Sequence, residues 1–164
     1  MAAVRASHTT SEIGTFSSVA SGPAATVGEV STAAVIGSSR SKGRVVFRDA
    51  SWGDEDMLWL TVELEGPGLS ARAGVLTIRG DGLPEFFERI DDAWPSWDEP
   101  IAWSSFERTL ELTATLDGTG HTTISAVLSD ATQQPSWEAR TTVVLDDAEQ
   151  IRSLRRYVVE MLAT

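Results

Sequence analysis

The chain has 164 residues, enough for one domain with an apolar core and small for two. Its 24 acidic and 13 basic residues give a formal net charge of -11, which repels nucleic-acid phosphates and anionic lipid surfaces and favours basic partners. No cysteine is present, which excludes disulfides and thiolate metal sites, and no apolar run is long enough for a secretion signal or a membrane span. We therefore expect a cytoplasmic protein that binds neither nucleic acid nor membrane.

The first part of the chain is rich in serine, alanine and threonine and has few large apolar side chains. Such a segment buries too little apolar surface to offset its ordering entropy, so we predict a mostly disordered tail over residues 1–42. Residues 29–36 are the exception, because their apolar side chains fit an edge strand paired with Val45 and Phe47. The alternative is that translation starts downstream of Met1 and that part of this tail does not belong to the protein.

A strand pair is predicted at the centre of the remaining domain, residues 43–164. Apolar and polar side chains alternate over residues 58–65, as in a strand with one buried face, and a turn at 66–68 follows. The return strand at residues 69–78 changes its apolar phase at Gly74. This change predicts a β-bulge at that glycine.

Two helices are predicted, one after this strand pair and one at the end of the domain. The first begins with Asp81 as its cap and has apolar residues at helical spacing. The second begins at Asp146, with Glu149 completing a capping box. Three more alternating strands lie between the helices, at residues 106–116, 121–128 and 137–145.

These elements predict an α+β domain with a single antiparallel sheet of about six strands and two helices packed on one face. The apolar sides of both hairpins are expected to point the same way beneath the helices. Residues 58–68 are echoed by residues 110–120, and each hairpin is followed by a helix. Two explanations of this echo are open. One is a duplicated ancestor, and the other is the common hairpin pattern of alternating leucines and glycine turns.

No residue arrangement typical of a catalytic centre, a metal site or a cofactor site is found. Of the two histidines, His8 lies in the tail, and His121 has no carboxylate at a motif spacing. The acidic residues 54–56 lack the spaced oxygen ligands of a calcium loop. Nucleophile-elbow and phosphate-binding glycine patterns are also missing. We therefore expect a protein that is not an enzyme and that carries no cofactor.

Tryptophans beside acidic side chains mark the candidate binding surface. Tryptophan is enriched at binding hot spots, and acidic neighbours steer a basic partner toward it. The candidate residues are Trp52, Asp54, Glu55, Asp56, Trp59, Trp97, Asp98 and Glu99. The structural alternative is a solvated acidic loop and a solvated sheet face. Trp94 and Trp103 are instead expected to close the core over the end of the first helix.

Four segments resemble an actinobacterial family of small proteins that is defined only as a domain of unknown function. The segments are residues 45–49, 60–68, 78–83 and 137–140. The resemblance covers residues 44–162, and its most distinctive parts are Gly80-Asp81-Gly82 and Trp137-Glu138-Ala139-Arg140. It implies a compact bacterial cytoplasmic domain and supplies no catalytic residue.

The first functional prediction is a non-enzymatic acidic binding module for a basic protein partner, comparable with an immunity or inhibitor protein. The alternative is a small-molecule-binding or enzymatic domain with a pocket between helix and sheet. A third interpretation is a structural subunit that dimerises through a sheet edge or face. The sequence leaves the three open.

Overall fold

The structure is a computed structural model that describes residues 33–38, 40–130 and 136–163. The strands in chain order are β1 (Ala34–Ile36), β2 (Arg44–Trp52), β3 (Met57–Gly66), β4 (Leu69–Ile78), β5 (Ile101–Ser104), β6 (Leu110–Leu116), β7 (Thr122–Asp130) and β8 (Trp137–Leu145). The helices are α1 (Leu83–Ala93), which follows β4, and α2 (Ala148–Leu162), which follows β8.

The strands form two antiparallel sheets, β1-β2-β3-β4 and β5-β6-β7-β8. Each sheet is followed by a helix, so four strands and a helix occur twice along the chain. The predicted combination of antiparallel strands and two helices is confirmed, but the single sheet of about six strands is wrong. Alternation along a strand shows which side chains are buried and does not show which strands pair, so one sheet and two sheets give the same pattern.

Each helix packs against the other four-strand unit as well as against its partner helix. α1 contacts β5, and α2 contacts β1 and β8, so the helices connect the two sheets rather than covering one face of one sheet. The sheets enclose a shared core in which Leu58, Leu60, Leu110 and Leu112 are all buried. The two units therefore share one hydrophobic core.

The repeat in the structure differs from the echo in the sequence. Residues 58–68 belong to the β3–β4 hairpin, whereas residues 110–120 begin the β6–β7 hairpin. The echo thus aligns the third strand of one unit with the second strand of the other, although the equivalent of β3 is β7. A shared hairpin pattern explains the echo better than a duplicated sequence does.

The predicted bulge at Gly74 is wrong. β3 and β4 pair without interruption from Met57↔Ile78 to Gly66↔Leu69. Side chains alternate along β4, so both Leu76 and Ile78 lie on the outer face of the sheet, opposite the core. Apolar residues on both faces of one strand gave the appearance of a phase change.

The first helix begins differently from the prediction. Its N-cap is Gly82, whose φ of 76° lies in the left-handed region that glycine adopts without strain. Asp81 accepts hydrogen bonds from the backbone N–H of Ile78 (3.0 Å) and of Phe106 (2.7 Å). Its carboxylate therefore ties the start of α1 to the loop between β5 and β6.

The second helix starts slightly later than predicted. Its N-cap is Asp147, whose Oδ1 accepts from the backbone N–H of Gln150 at 2.9 Å. The predicted cap, Asp146, lies one residue earlier, and Gln150 rather than Glu149 completes the cap. Two adjacent aspartates made the position of the cap ambiguous in the sequence.

The loop between β1 and β2 holds the first sheet against β8. Ser38 Oγ donates to the carbonyl of Val144 (2.6 Å), and Ser41 Oγ accepts from the N–H of Val144 (2.6 Å). Beside them, a Cβ atom built on Gly43 would lie only 2.1 Å from Thr141 Oγ1. The two backbones approach each other so closely because residue 43 has no side chain.

The described chain begins shortly before β1. In the predicted edge strand 29–36, the described part pairs with β2 through Ala34↔Phe47 and Ile36↔Val45. Residues 1–32 lie outside the described residues, so the predicted tail and the boundary before residue 43 stay predictions. Neither helix in the described part of the chain combines the length and apolar character needed to cross a bilayer.

Candidate functional site

The outer face of the first sheet carries an apolar patch, which we call the outer patch: Met57, Trp59, Leu76 and Ile78. Trp59 is directly opposite Leu76 in the β3–β4 ladder, and Met57 is opposite Ile78. Trp59 is 48% exposed and Ile78 is 39% exposed, whereas Leu76 is almost covered by its neighbours. Paired side chains on one face of a sheet lie in contact range, so these residues form a continuous surface.

An acidic turn borders the outer patch where β2 passes into β3. The turn is closed by hydrogen bonds from Gly53 N to Met57 O (2.8 Å) and from Met57 N to Asp54 O. Glu55 and Asp56 both have a left-handed backbone, with φ of 58° and 62°. Such positions favour glycine, asparagine or aspartate, so Asp56 fits its backbone whereas Glu55 occupies one that does not favour it.

The acidic turn leaves two carboxylates without an ion pair. Asp56 accepts from Arg79 Nε at 2.7 Å. Asp54 and Glu55 are exposed and pair with no basic group in the described part of the chain. A side chain built on Gly53 would come within 3.8 Å of Trp59 Nε1, so the turn lies directly beside that indole.

The structure places the first group of candidate residues at one end of the first sheet, but on different faces of it. Trp52 ends β2 immediately before the acidic turn, opposite Leu58, and is 43% exposed. Opposed residues of a ladder share a face, and Leu58 is buried in the core, so Trp52 lies on the face opposite Trp59 and outside the outer patch. Leu76 and Ile78 share the outer face with Trp59 and were missed by the sequence analysis, although the phase change at Gly74 was their signal.

Substitution of Glu55 by glycine is expected to raise the free energy of unfolding by about 0.5–1 kcal/mol, because glycine adopts φ of 58° without steric cost. The melting temperature should rise by about 1–4 °C, measured by differential scanning calorimetry. Asp54→Gly is the matched control. Asp54 has no positive φ, so glycine there should only lower stability. Equal effects of the two substitutions would contradict strain at Glu55.

The charged side chains on the other side of the outer patch neutralise one another. Glu63 accepts from Arg48 Nε at 3.0 Å, and Arg72 lies 3.7 Å from Glu63 and 3.6 Å from Asp49. These groups are partly exposed, so each pair adds little stability. The excess negative charge near the outer patch is therefore at the acidic turn.

The second group of candidate residues lies elsewhere, in the linker between α1 and β5. Trp97, Asp98 and Glu99 line an open groove of about 680 Å³ together with Arg89 and Asp92. Trp97 packs partly against the core, and its Nε1 is buried without a hydrogen-bond partner. The groove lies beside α1 and β5. It is a candidate position for the predicted small-molecule pocket between helix and sheet, and that pocket stays a prediction.

The neighbouring tryptophans serve the fold. Trp103 is 8% exposed, and its Nε1 donates to the carbonyl of Asp81 at 2.8 Å. Trp94 is half-buried, and its Nε1 donates to the carbonyl of Gly120 at 3.3 Å. Trp94 lies at the end of α1, as predicted, whereas Trp103 bonds to the segment just before its start.

His121 lies in an exposed hairpin between β6 and β7. Its Nδ1 is 2.6 Å from Thr119 Oγ1 and 3.5 Å from Asp117 Oδ2, and its Nε2 is 3.4 Å from Arg40. The Thr119 hydroxyl, together with the backbone N–H groups of His121 and Thr119, lowers the pKa of Asp117 to about 2. These contacts order a turn at the surface. In the described residues, no group of three or more acidic or histidine side chains is placed to hold a metal ion.

The model of one protein family, a family of unknown function (DUF6228), matches residues 36–164. The chain belongs to this family. The resemblance to a domain of unknown function is thus confirmed, whereas the actinobacterial origin stays a prediction. The part matched by DUF6228 contains both sheets, the outer patch and the groove.

Comparisons with other proteins add no function to this DUF6228 member. No curated protein matches the chain. A similar solved structure is described as "Crystal structures of trypanosoma bruciei MRP1/MRP2", with 12% identity and a TM-score of 0.38. The alignment covers 79% of this chain and 81% of that one. A likeness at this level carries no argument about what the chain does.

Proposed function

We propose that the chain is a non-enzymatic binding module that recognises a basic protein partner through the outer patch and the acidic turn. The observation that carries this proposal is the exposure of Trp59, at 48%, beside Ile78 and two unpaired carboxylates. An apolar surface next to unpaired acids fits a partner whose contact surface combines an apolar centre with lysine or arginine.

The outer patch supplies the apolar part of such an interface. A tryptophan that is already held by a strand loses little conformational freedom when a partner covers it. Trp59 is fixed by pairing with Ser51 on one side and Leu76 on the other. Burial of a rigid aromatic side chain at the centre of an interface is typical of a binding hot spot.

The acidic turn supplies the electrostatic part. Asp54 and Glu55 project from a hairpin end rather than from a flat sheet, and no basic side chain of the described chain neutralises them. The whole chain carries a net charge of -11, so its long-range field also attracts a basic partner. Charge of this kind raises the association rate, while the apolar contact sets the lifetime of the complex.

Recognition of this kind fits an immunity- or inhibitor-like role, in which the module covers a basic functional surface of its partner. Such a role needs a rigid surface of matching charge and no reactive group. The two-sheet core provides that rigidity, because β3 and β4 pair over their full length beneath the outer patch.

The proposal is tested by capture and then by affinity measurement with the captured protein in purified form. The full chain is immobilised, and bound proteins are identified from a bacterial lysate at low salt. We expect a partner with an isoelectric point above about 9, and a dissociation constant that rises at least about tenfold between 50 and 300 mM salt. Trp59→Ala should weaken binding by about 10- to 100-fold.

Two matched controls separate the outer patch from general charge and general hydrophobicity. Val35 is an apolar residue with 42% exposure on β1, which β2 separates from β3, and Val35→Ala should leave the affinity within about twofold. Glu55→Lys should weaken binding more than Glu107→Lys, which makes the same charge change in another loop. Affinity that is insensitive to salt, or equal losses for Trp59→Ala and Val35→Ala, would overturn the proposal.

A further inference from the structure

Phe106 has the most exposed large apolar side chain in the described part of the chain, at 61%. It lies in the loop between β5 and β6, which belongs to the second four-strand unit. A single exposed apolar side chain is common on protein surfaces and indicates nothing by itself. What lies beside Phe106 therefore decides whether it belongs to a binding surface.

The loop that carries Phe106 is fixed by hydrogen bonds around that residue. Ser105 N donates to the carbonyl of Leu110 at 2.9 Å, and Ser105 Oγ accepts from Leu110 N at 3.1 Å. Arg108 N donates to the carbonyl of Ser105 at 2.9 Å, and the Arg108 side chain forms an ion pair with Glu111 at 2.8 Å. An ordered loop thus presents Phe106 to solvent, and an ordered residue loses little conformational freedom when a partner covers it.

The carboxylate of Asp81 places Phe106 beside the outer patch. Its Oδ1 accepts from the backbone N–H of Ile78 at 3.0 Å, and its Oδ2 accepts from that of Phe106 at 2.7 Å. Two N–H groups that bind one carboxylate have nitrogen atoms within about 8 Å of each other. Ile78 belongs to the outer patch and is 39% exposed. The two exposed apolar residues are therefore neighbours, although they belong to different four-strand units.

The turn that carries Asp81 has an unusual backbone. All four of its residues, 79–82, have positive φ, between 49° and 82°. Glycine adopts this region freely and aspartate tolerates it, whereas Arg79 does so at a steric cost. Arg79 is held there by Asp56 of the acidic turn, which accepts from its Nε at 2.7 Å. This strained turn thus connects the acidic turn with the Phe106 loop, and strain of this kind concentrates at functional surfaces.

We propose that the partner-binding surface continues from the outer patch onto the second unit, with Phe106 as a further aromatic contact and Asp81 as the residue that positions it. This inference rests on the proposed function and adds that the basic partner touches both four-strand units. Diagonal neighbours in a ladder lie about 7–8 Å apart, so the apolar surface from Trp59 through Ile78 to Phe106 is about 15 Å long. One face of a partner protein spans this length.

The charges around this longer surface fit the same basic partner. Asp54 and Glu55 lie in the turn that leads into β3, at the end of the sheet where Ile78 lies. They are exposed and have no ion pair in the described part of the chain. The Arg108 side chain in the Phe106 loop is neutralised by its own ion pair. A partner that places lysine or arginine over the acidic turn therefore brings its neighbouring apolar residues onto Ile78 and Phe106 together.

Photo-cross-linking tests the continuity of this surface. A benzophenone amino acid replaces Ile78, Phe106 or Val35 in three otherwise unchanged full chains, and each is irradiated in a bacterial lysate at low salt. We expect the Ile78 and Phe106 positions to form a covalent product with the same basic protein, identified by mass spectrometry. The Val35 position on β1 should form none. Trp59 is left intact because it is expected to contribute most of the affinity.

The possible results separate this inference from the proposed function. A product at the Ile78 position without one at the Phe106 position would leave the proposed function standing and would overturn the continuation onto the second unit. Different proteins at the two positions, or a product at the Phe106 position alone, would also contradict one continuous surface. The absence of a product at both positions would contradict this inference and the proposed function together.

A double-mutant cycle with the cross-linked protein in purified form tests the role of Asp81. Phe106→Ala should weaken binding by about 10-fold. Asp81→Asn should weaken it by about 3- to 10-fold, because asparagine tolerates φ of 49° but has one acceptor oxygen in place of two. In the Phe106→Ala background, Asp81→Asn should change the affinity by less than about twofold. Equal losses in the two backgrounds would show that Asp81 does not act through Phe106.

Asp92→Asn is the matched control, since it makes the same charge change near the other end of α1, about three turns away from Asp81. It should leave the affinity within about twofold. Far-ultraviolet circular dichroism checks that every variant is folded at the assay temperature. If Asp92→Asn weakened binding as much as Asp81→Asn, net charge rather than the position of Phe106 would explain the loss, and the positioning role of Asp81 would be wrong.

Discussion

Replacement of Phe87 by alanine is expected to lower the free energy of unfolding by about 3–5 kcal/mol. Phe87 is fully buried on α1, and its ring meets the Phe86 ring edge to face with centroids 5.1 Å apart. α1 packs on α2 and on β5 of the other unit, so the lost side chain leaves a cavity in the core that the two units share. The cost includes both the lost burial and that cavity.

The form of the unfolding transition is as informative as its midpoint. Because both sheets enclose one core, urea unfolding of the Phe87→Ala variant should remain a single transition, with tryptophan fluorescence and far-ultraviolet circular dichroism coinciding. Val159→Ala is the control, since Val159 is 47% exposed on α2 and should change stability by less than about 0.5 kcal/mol. Two separate transitions in the Phe87→Ala variant would show that the four-strand units fold independently and would contradict a shared core.

The local elements followed from the sequence because each depends on residues close together. Alternation located β3 and the three later strands, and the spacing of Leu83, Phe86, Phe87 and Ile90 located α1. Sheet membership did not follow, because it depends on contacts between distant segments. β5 is only four residues long and lies between a proline-rich linker and a loop. Such a short strand shows too little alternation of apolar and polar residues to be predicted.

The candidate site was predictable where a single residue carried the signal. Trp59 is an exposed tryptophan on a strand whose other face is apolar, and alternation alone places it outside. The outward position of Leu76 and Ile78 was not predicted, because their change of phase was explained by a bulge at Gly74. The left-handed backbone of Glu55 was also not predictable, since glutamate, unlike aspartate, is not enriched there. An exposed apolar residue and an unfavourable backbone both depart from the common pattern, and functional surfaces are where such departures concentrate.

Replacement of Gly43 by alanine is expected to lower the free energy of unfolding by about 3 kcal/mol, because the new methyl group overpacks the crossing of the two sheets. The methyl carbon would lie 2.1 Å from Thr141 Oγ1 and 2.9 Å from the carbonyl oxygen of Thr142. A side chain can rotate away, but the carbonyl belongs to the β8 backbone and moves only with the strand. The loss should appear as a lower midpoint in urea with an unchanged slope.

A double-mutant cycle separates these two contacts. Thr141→Ala alone removes the hydrogen bond from Thr141 Oγ1 to the Glu65 carbonyl (3.3 Å) and should cost about 1 kcal/mol. Combined with Gly43→Ala it also removes the closest clash, so the double variant should be more stable than the sum of the single effects predicts, by about 1 kcal/mol or more. Gly74→Ala is the control glycine, because its methyl group meets nothing within 4 Å and should leave stability unchanged or slightly higher. If Gly43→Ala behaved like Gly74→Ala, β2 and β8 would not approach as closely as the structure places them, and the loop that covers the β8 edge would lose its anchor.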